Sequence, residues 1–163
     1  MVKSVGLLVM TRLPDYREKV AILHRRGVLN ENLRLQSWAG GFQVTATGKV
    51  EEGEKEKQCL YREIGEEIGK ALYPQNGKLV ELFRNEERVI YGIYQDKVWV
   101  KNSRLSLASG GLVPVTKEVL PRIKNLLDFS KETGVKDRDV IAMFPDEITA
   151  LKRAFKKIVR SRL

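Results

Sequence analysis

Apolar residues recur along this chain with two periods, and the change from one to the other marks its elements. Ser4 to Thr11 is a β-rich run, and Lys19 to His24 alternates as a half-buried strand does, with Val20 and Ile22 on one face. Leu13 to Glu18, with Pro14 and Asp15, is a polar loop between them, and Gly27 to Arg34 reads as a connection. Trp38 to Thr47 is predicted as one strand leading into a loop bounded by Gly48 and Gly53. The period then becomes helical: Leu60, Ile64 and Ile68 fall at roughly 0°, 40° and 80° around an axis, with Tyr61 near 100°, and the helix ends near Gly69. Strand-like runs return at Lys78 to Phe83 and Arg88 to Tyr94 around a polar Asn85-Glu-Glu turn, with shorter ones at Val98 to Val100 and Gly111 to Val115. Two more helices are predicted. Residues 117–133 set Leu120, Ile123, Leu126 and Leu127 on one side and stop at Gly134. Residues 146–162 set Ile148, Leu151, Phe155, Ile158 and Val159 on one side, with Lys152, Arg153, Lys156, Lys157, Arg160 and Arg162 around the rest. No repeat, linker or low-complexity segment interrupts this order, so residues 1–163 are read as one domain.

Composition narrows the class. A hydrophobic content of 42% in 163 residues suits a globular chain with one core. The single cysteine, Cys59, cannot close an internal disulfide; it lies beside the apolar stripe and reads as a packed thiol. That usage fits a reducing cytoplasm. The apolar run Val5 to Met10 is too short to span a bilayer and resembles no cleaved leader, so no membrane role is expected. A formal net charge of +9 favours polyanionic partners, with nucleotide phosphates sufficient and RNA a less favoured second class, because the basic residues are spread along the chain. Self-association is left open.

The local charge of residues 51–67 has the opposite sign. Seven Glu and three Lys or Arg give −4 there, within a chain of +9. On the helix, Glu56, Glu63 and Glu67 fall at roughly 320°, 300° and 340°, with Glu66 near 240°, so an acidic wall adjoins the apolar one. Glu63 and Glu67 form a like-charged i,i+4 pair that costs an isolated helix about 0.2–0.5 kcal/mol. A divalent cation would turn that repulsion into ligation by hard oxygen donors. Gly48 and Gly53 can take φ > 0 and so let the loop turn tightly into the helix, and Glu51 and Glu52 read as carboxylates favoured at its positive start.

Residues 48–69 resemble the Nudix box: Gly48, five residues, Glu54, seven residues, then Arg62-Glu63-Ile64-x-Glu66-Glu67-x-Gly69. Lys70 replaces the aliphatic residue expected last. The resemblance implies an α/β fold, an α/β/α sandwich around a mixed sheet. It also implies a Mg²⁺- or Mn²⁺-dependent pyrophosphohydrolase acting on a nucleoside diphosphate linked to another moiety. Carried over, Glu63, Glu66 and Glu67 are the metal-binding carboxylates, the Thr47 carbonyl adds a ligand, and Arg62 with Glu54 holds the loop against the helix and orients Glu63. The runner-up is a Nudix-like module that binds nucleotide or RNA without catalysis.

Outside the box the assignments stay plural. Arg25, Arg26 or Arg12 would clamp substrate charge, or serve surface solubility. The general base would be Glu66, or one of Glu118, Glu132, Asp137 and Asp139 from a distal segment. His24, in a strand with Val20 and Ile22, is read as structural, with a base near neutral pH as the alternative. Phe42, Tyr91, Tyr94 and Trp99 would stack a nucleobase or pack in the core. The proline of ADP-ribose hydrolases and the tyrosine of the diadenosine polyphosphate group are absent; the box says almost nothing about the base or leaving moiety, so substrate choice is expected in the 28–43 connection and beyond residue 83.

Overall fold

The computed structural model describes residues 2–29, 32–67, 79–95 and 109–158, the side chains of 64–67 and 109–110 excepted. Strand β1 (Ser4–Thr11) lies at the centre, buried from Val5 onward. One edge pairs in parallel with β6 (Arg88–Tyr94), from Ser4 opposite Arg88 to Met10 opposite Tyr94. The other edge is shared. Its first half pairs antiparallel with β4 (Ala46–Lys49) and its end with β2 (Val20–Arg26). Antiparallel pairing adds β5 (Val80–Arg84) beyond β6, and β3 (Phe42–Gln43) and β7 (Ser109–Val115) beside β2, giving a seven-stranded mixed sheet. The β5–β6 turn is closed by Asn85, whose Oδ1 accepts from the N–H groups of Glu87 and Arg88.

Helices cover both faces. On one, Cys59 and Leu60 of α1 (Glu56–Glu67) pack on Val5, Leu7, Val9, Ile22, Val89 and Ile93. On the other, Ala150, Leu151, Ala154 and Phe155 of α2 (Pro145–Lys157) pack on Leu8, Met10, Ala21, Leu23 and Ile90. The chain is therefore an α/β/α sandwich around a mixed sheet. Helix α2 starts as its sequence implies, with Pro145 in its first turn, Asp146 and Glu147 behind it, and Lys156 and Lys157 at the far end. Among the described residues, no helix is long and apolar enough to cross a membrane.

Three segments differ from the sequence expectation. Strand β2 is not half-buried: Val20 to His24 are all buried, because α1 and α2 cover its two faces. Residues 38–47 are not one strand. The chain leaves β2 at Gln43 and joins β1 at Ala46, crossing the fork where those strands diverge. Thr45 bridges the fork, its Oγ1 accepting from the Val9 N–H (2.9 Å) and donating to the Ile22 carbonyl (2.6 Å). Residues 117–133 are not an α-helix. They form a 3₁₀ turn at Lys117–Arg122, strand β8 (Lys124–Asn125) parallel to β9 (Ala142–Met143), and a second 3₁₀ turn at Leu126–Asp128. Pro121 inside the first turn offers no N–H and disfavours helical continuation, and Leu127, expected on the buried side, is 56% exposed. The expected strand at 98–100 and the helix beyond 158 lie outside the described residues.

Candidate active site

The box loop leaves β4 and returns through Gly53, whose φ of 77° needs glycine. Gly48 has a different reason for lacking a side chain. A Cβ there would sit 1.8 Å from Cδ of Glu63, so glycine makes room for the Glu63 carboxylate against the end of β4. Left-handed backbone belongs to Gly53 alone of the two.

Arg62 organises the polar side of α1. Its Nε donates to Glu54 Oε2 (2.8 Å), its Nη2 to Glu54 Oε1 (3.0 Å) and to the Lys49 carbonyl (2.8 Å), and its Nη1 to Glu63 Oε1 (2.8 Å). Glu51 adds a 3.6 Å ion pair, and Glu54 Oε1 also accepts from the Glu51 N–H. One guanidinium thus joins loop, strand end and helix in a fork that lysine could not reproduce. Arg62's hydrogen bonds, then the Glu51 N–H, hold the Glu54 carboxyl down to about 2, and Glu54 in turn raises the Arg62 guanidinium. Cys59 donates from Sγ to the Lys49 carbonyl (3.2 Å), and burial, reinforced by Glu54, pushes its thiol up to about 12. It is a packed thiol, protonated at neutral pH and so no nucleophile there. The donors gathered here are hard oxygens, which suits Mg²⁺ or Mn²⁺.

Glu66 and Glu67 close α1; their side chains lie outside the described residues, so Glu63 is the described member of the acidic set. Thr47 lies in β4 opposite Gly6, immediately before the cradle glycine.

The two arginines of β2 part company. Arg26 donates to the Ser37 carbonyl and, from Nη1, to Gln43 Oε1 (3.0 Å). Arg25 stacks over the Phe42 ring at 5.0 Å and donates to the Arg138 carbonyl. Phe42 is 2% exposed within the α2-side cluster, so it is a core residue under Arg25 and offers no face to a nucleobase. Tyr91 is half-buried on the α1 side, its hydroxyl donating to Glu56 Oε2 (2.8 Å) beside Arg84, which grips Glu56 with both Nη atoms. Tyr94 packs on the α2 side, and Trp99 lies outside the described residues. Arg12 is exposed and donates to the Arg17 carbonyl. Glu118, Glu132, Asp137 and Asp139 are exposed on the 117–139 segment, where Glu132 accepts from Ser130 Oγ and Asp137 from the Asp139 N–H. His24 is buried, and burial with help from Arg26 lowers its imidazole to about 4.

Two charged residues near the box escaped sequence reasoning. Glu147, 2% exposed at the start of α2, accepts from the Val44 N–H (2.8 Å) and lies 3.7 Å from Arg88 Nη1. Burial raises its carboxyl, against the pull of Arg88. Arg88 Nη2 donates to Thr47 Oγ1 (3.2 Å). The only sequence signal was an acidic residue behind Pro145-Asp146, which helix-start preference already explains.

A family model described as NUDIX domain matches residues 5–122. Solved structures share the fold. The NUDIX domain of Shewanella oneidensis NrtR, crystallised with ADP ribose, is similar at a TM-score of 0.60 and 12% identity, over 98% of this chain and 89% of that one. A NUDIX hydrolase, so described provisionally, from Listeria monocytogenes has a TM-score of 0.59 and 14% identity, over 96% and 94%. An Ap4A hydrolase from C. elegans, in a binary complex, has a TM-score of 0.50 and 16% identity, over 71% and 81%. No curated protein sequence matches the chain.

Proposed function

The chain belongs to the NUDIX domain family, and from that premise we propose that it is a divalent-metal-dependent pyrophosphohydrolase. Its substrate would be a nucleoside diphosphate linked to a further moiety, such as a nucleoside triphosphate or a related compound. The observation that carries this reading is the clamp in which Arg62 ties Glu54, the Lys49 carbonyl and Glu63 together while Gly48 makes room for the Glu63 carboxylate. ADP ribose and Ap4A, named with two structural neighbours, are both compounds of this class.

Glu63, Glu66, Glu67 and the Thr47 carbonyl would hold Mg²⁺ or Mn²⁺. When bound, the ion supplies neutralisation of phosphate oxygens and activation of water. Arg62 fixes the direction of the Glu63 carboxylate, since one of its oxygens already accepts the Nη1 hydrogen bond. Glu54, its carboxyl held down to about 2, is ionised at neutral pH and pairs with Arg62 there. Both β2 arginines have protein partners, but Arg25 turns to Phe42 and the 138 carbonyl on the α2 side, so Arg26, on the other face beside Gln43, is the better candidate for substrate phosphate. Tyr91 would border the site beside Glu56.

The test is a panel of nucleoside triphosphates, dinucleoside polyphosphates and ADP ribose with Mg²⁺, read by release of phosphate, pyrophosphate or mononucleotide. Glu63→Gln keeps size and removes charge. It is expected to lower kcat by about 10²-fold or more on the best substrate, the scale of losing one preorganised electrostatic group. Near-normal kcat in that variant would refute the assignment. A panel without turnover, together with salt-sensitive RNA binding, would leave a binding module as the account.

A further inference from the structure

The chemistry proposed above sits on the α1 face of the sheet, yet the strand that carries it is also gripped from the opposite face. Thr47 Oγ1 donates to the Val5 carbonyl (3.1 Å) and accepts from Arg88 Nη2 (3.2 Å). Arg88 Nη1 lies 3.7 Å from Glu147 Oε2, and Glu147 Oε1 accepts from the Val44 N–H (2.8 Å). Glu147 therefore holds the residue at which the chain crosses between strands, and Arg88 holds the residue before the Gly48 cradle. Both ends of the 44–47 segment are fixed by one charged pair.

That pair is a poor device for stability alone. Glu147 is buried and Arg88 nearly so, and among the described residues the buried Arg88 Nε has no hydrogen-bond partner. Incompletely satisfied buried pairs are commonly matched or bettered by apolar replacements, so this one calls for another role. We propose that Arg88 and Glu147 are positioning residues that act through Thr47, setting β4 so that the Thr47 carbonyl and the Glu63 carboxylate converge on one cation. The inference rests on the metal reading above. Groups behind metal ligands commonly alter affinity by about 10–100-fold when removed.

The experiment measures Mn²⁺ binding directly, by the loss of free-ion electron paramagnetic resonance signal, with Mn²⁺ the only ligand added. Thr47→Val keeps shape and backbone carbonyl but removes the hydroxyl that Arg88 holds. It is expected to weaken Mn²⁺ binding about 10-fold with the circular dichroism spectrum retained, and Thr47→Ser to restore it. The double variant Arg88→Met/Glu147→Gln, which leaves no unpaired buried charge, is expected to weaken binding likewise. Unchanged Mn²⁺ affinity in folded Thr47→Val, with or without a lower Tm, would overturn the proposal; if that variant does not fold, unchanged affinity in the double variant decides the matter. Glu63→Gln separates the two readings. Wild-type Mn²⁺ binding there would remove the metal site itself, whereas lost binding there with normal binding in Thr47→Val would remove only the Arg88–Glu147 role.

Discussion

His24 shows how placement decides chemistry at the scale of one residue. It is 4% exposed, with Arg26 on the same strand, and its imidazole is lowered from 6.5 to about 4. It is neutral at pH 7 and too weak a base to be poised there. The linkage has a definite sign. Above pH 6.5 neither folded nor unfolded chain protonates it, and its contribution is complete. As pH falls from 6.5 towards 4 the unfolded chain gains a proton that the folded one refuses, so stability is lost, by roughly 3 kcal/mol across the window. The Glu54 carboxyl, displaced from 4.5 to about 2, loses its own contribution only below 4.5, and the raised Glu147 carboxyl acts in the opposite direction above 4.5, so the histidine's share is the difference between the native and variant profiles. In urea unfolding, His24→Gln is expected to lose less stability than the native chain as pH falls from 6.5 to 4.5; parallel profiles would mean that another group causes the loss. Gly48 carries the complementary lesson. Its box position was legible, but its reason is the space taken by Glu63, which depends on a contact across the chain.

At the scale of elements, what the sequence discloses is whatever one segment decides for itself. Strand β1, the β5–β6 hairpin and the start of α2 follow from local pattern, and the Arg62–Glu54 contact is one that the box resemblance implied; Glu51 and Glu52, expected at the start of the box helix, instead precede α1, which begins at Glu56. The failures have tertiary or steric causes. Burial of β2 on both faces came from two helices distant in sequence, and Pro121 outweighed the helical spacing of 117–133. Arg25 and Arg26 look equivalent in sequence but face opposite sides of a strand. The Arg88–Glu147 pair joins a strand to a helix that no local pattern links. The split of 38–47 turns on Thr45, fully buried in the fork of β1 and β2. Thr45→Val leaves the Val9 N–H and the Ile22 carbonyl without that hydroxyl, and the expected cost is about 2–4 kcal/mol. Thr45→Ser should recover most of it. Chemical denaturation of the two variants checks this, and a valine variant as stable as the native chain would show that the fork closes without the hydroxyl.

For the whole molecule the question is what a charge of +9 does when the box segment is −4. A uniformly basic surface would attract any polyanion, including RNA. An acidic patch within a basic surround instead repels bare phosphate locally until a divalent cation reverses the sign there. The expected result is therefore conditional on the cation. With Mg²⁺ present, raising ionic strength from about 0.01 to 0.15 M shortens the screening length from about 30 to about 8 Å, so long-range attraction of the nucleotide is lost while contacts inside the site persist. The value of kcat/KM should fall several-fold over that range and kcat by less than about two-fold, because steering and capture are screened and the chemical step is not. Non-specific RNA binding, if present, should fall far more steeply with salt, since each released phosphate contact adds to the slope. Steady-state kinetics at three salt concentrations on the best panel substrate test the idea. A fall in kcat equal to that in kcat/KM would show that salt acts on the site itself, through the metal or the Arg62 clamp, and that the basic surround plays no part in substrate capture.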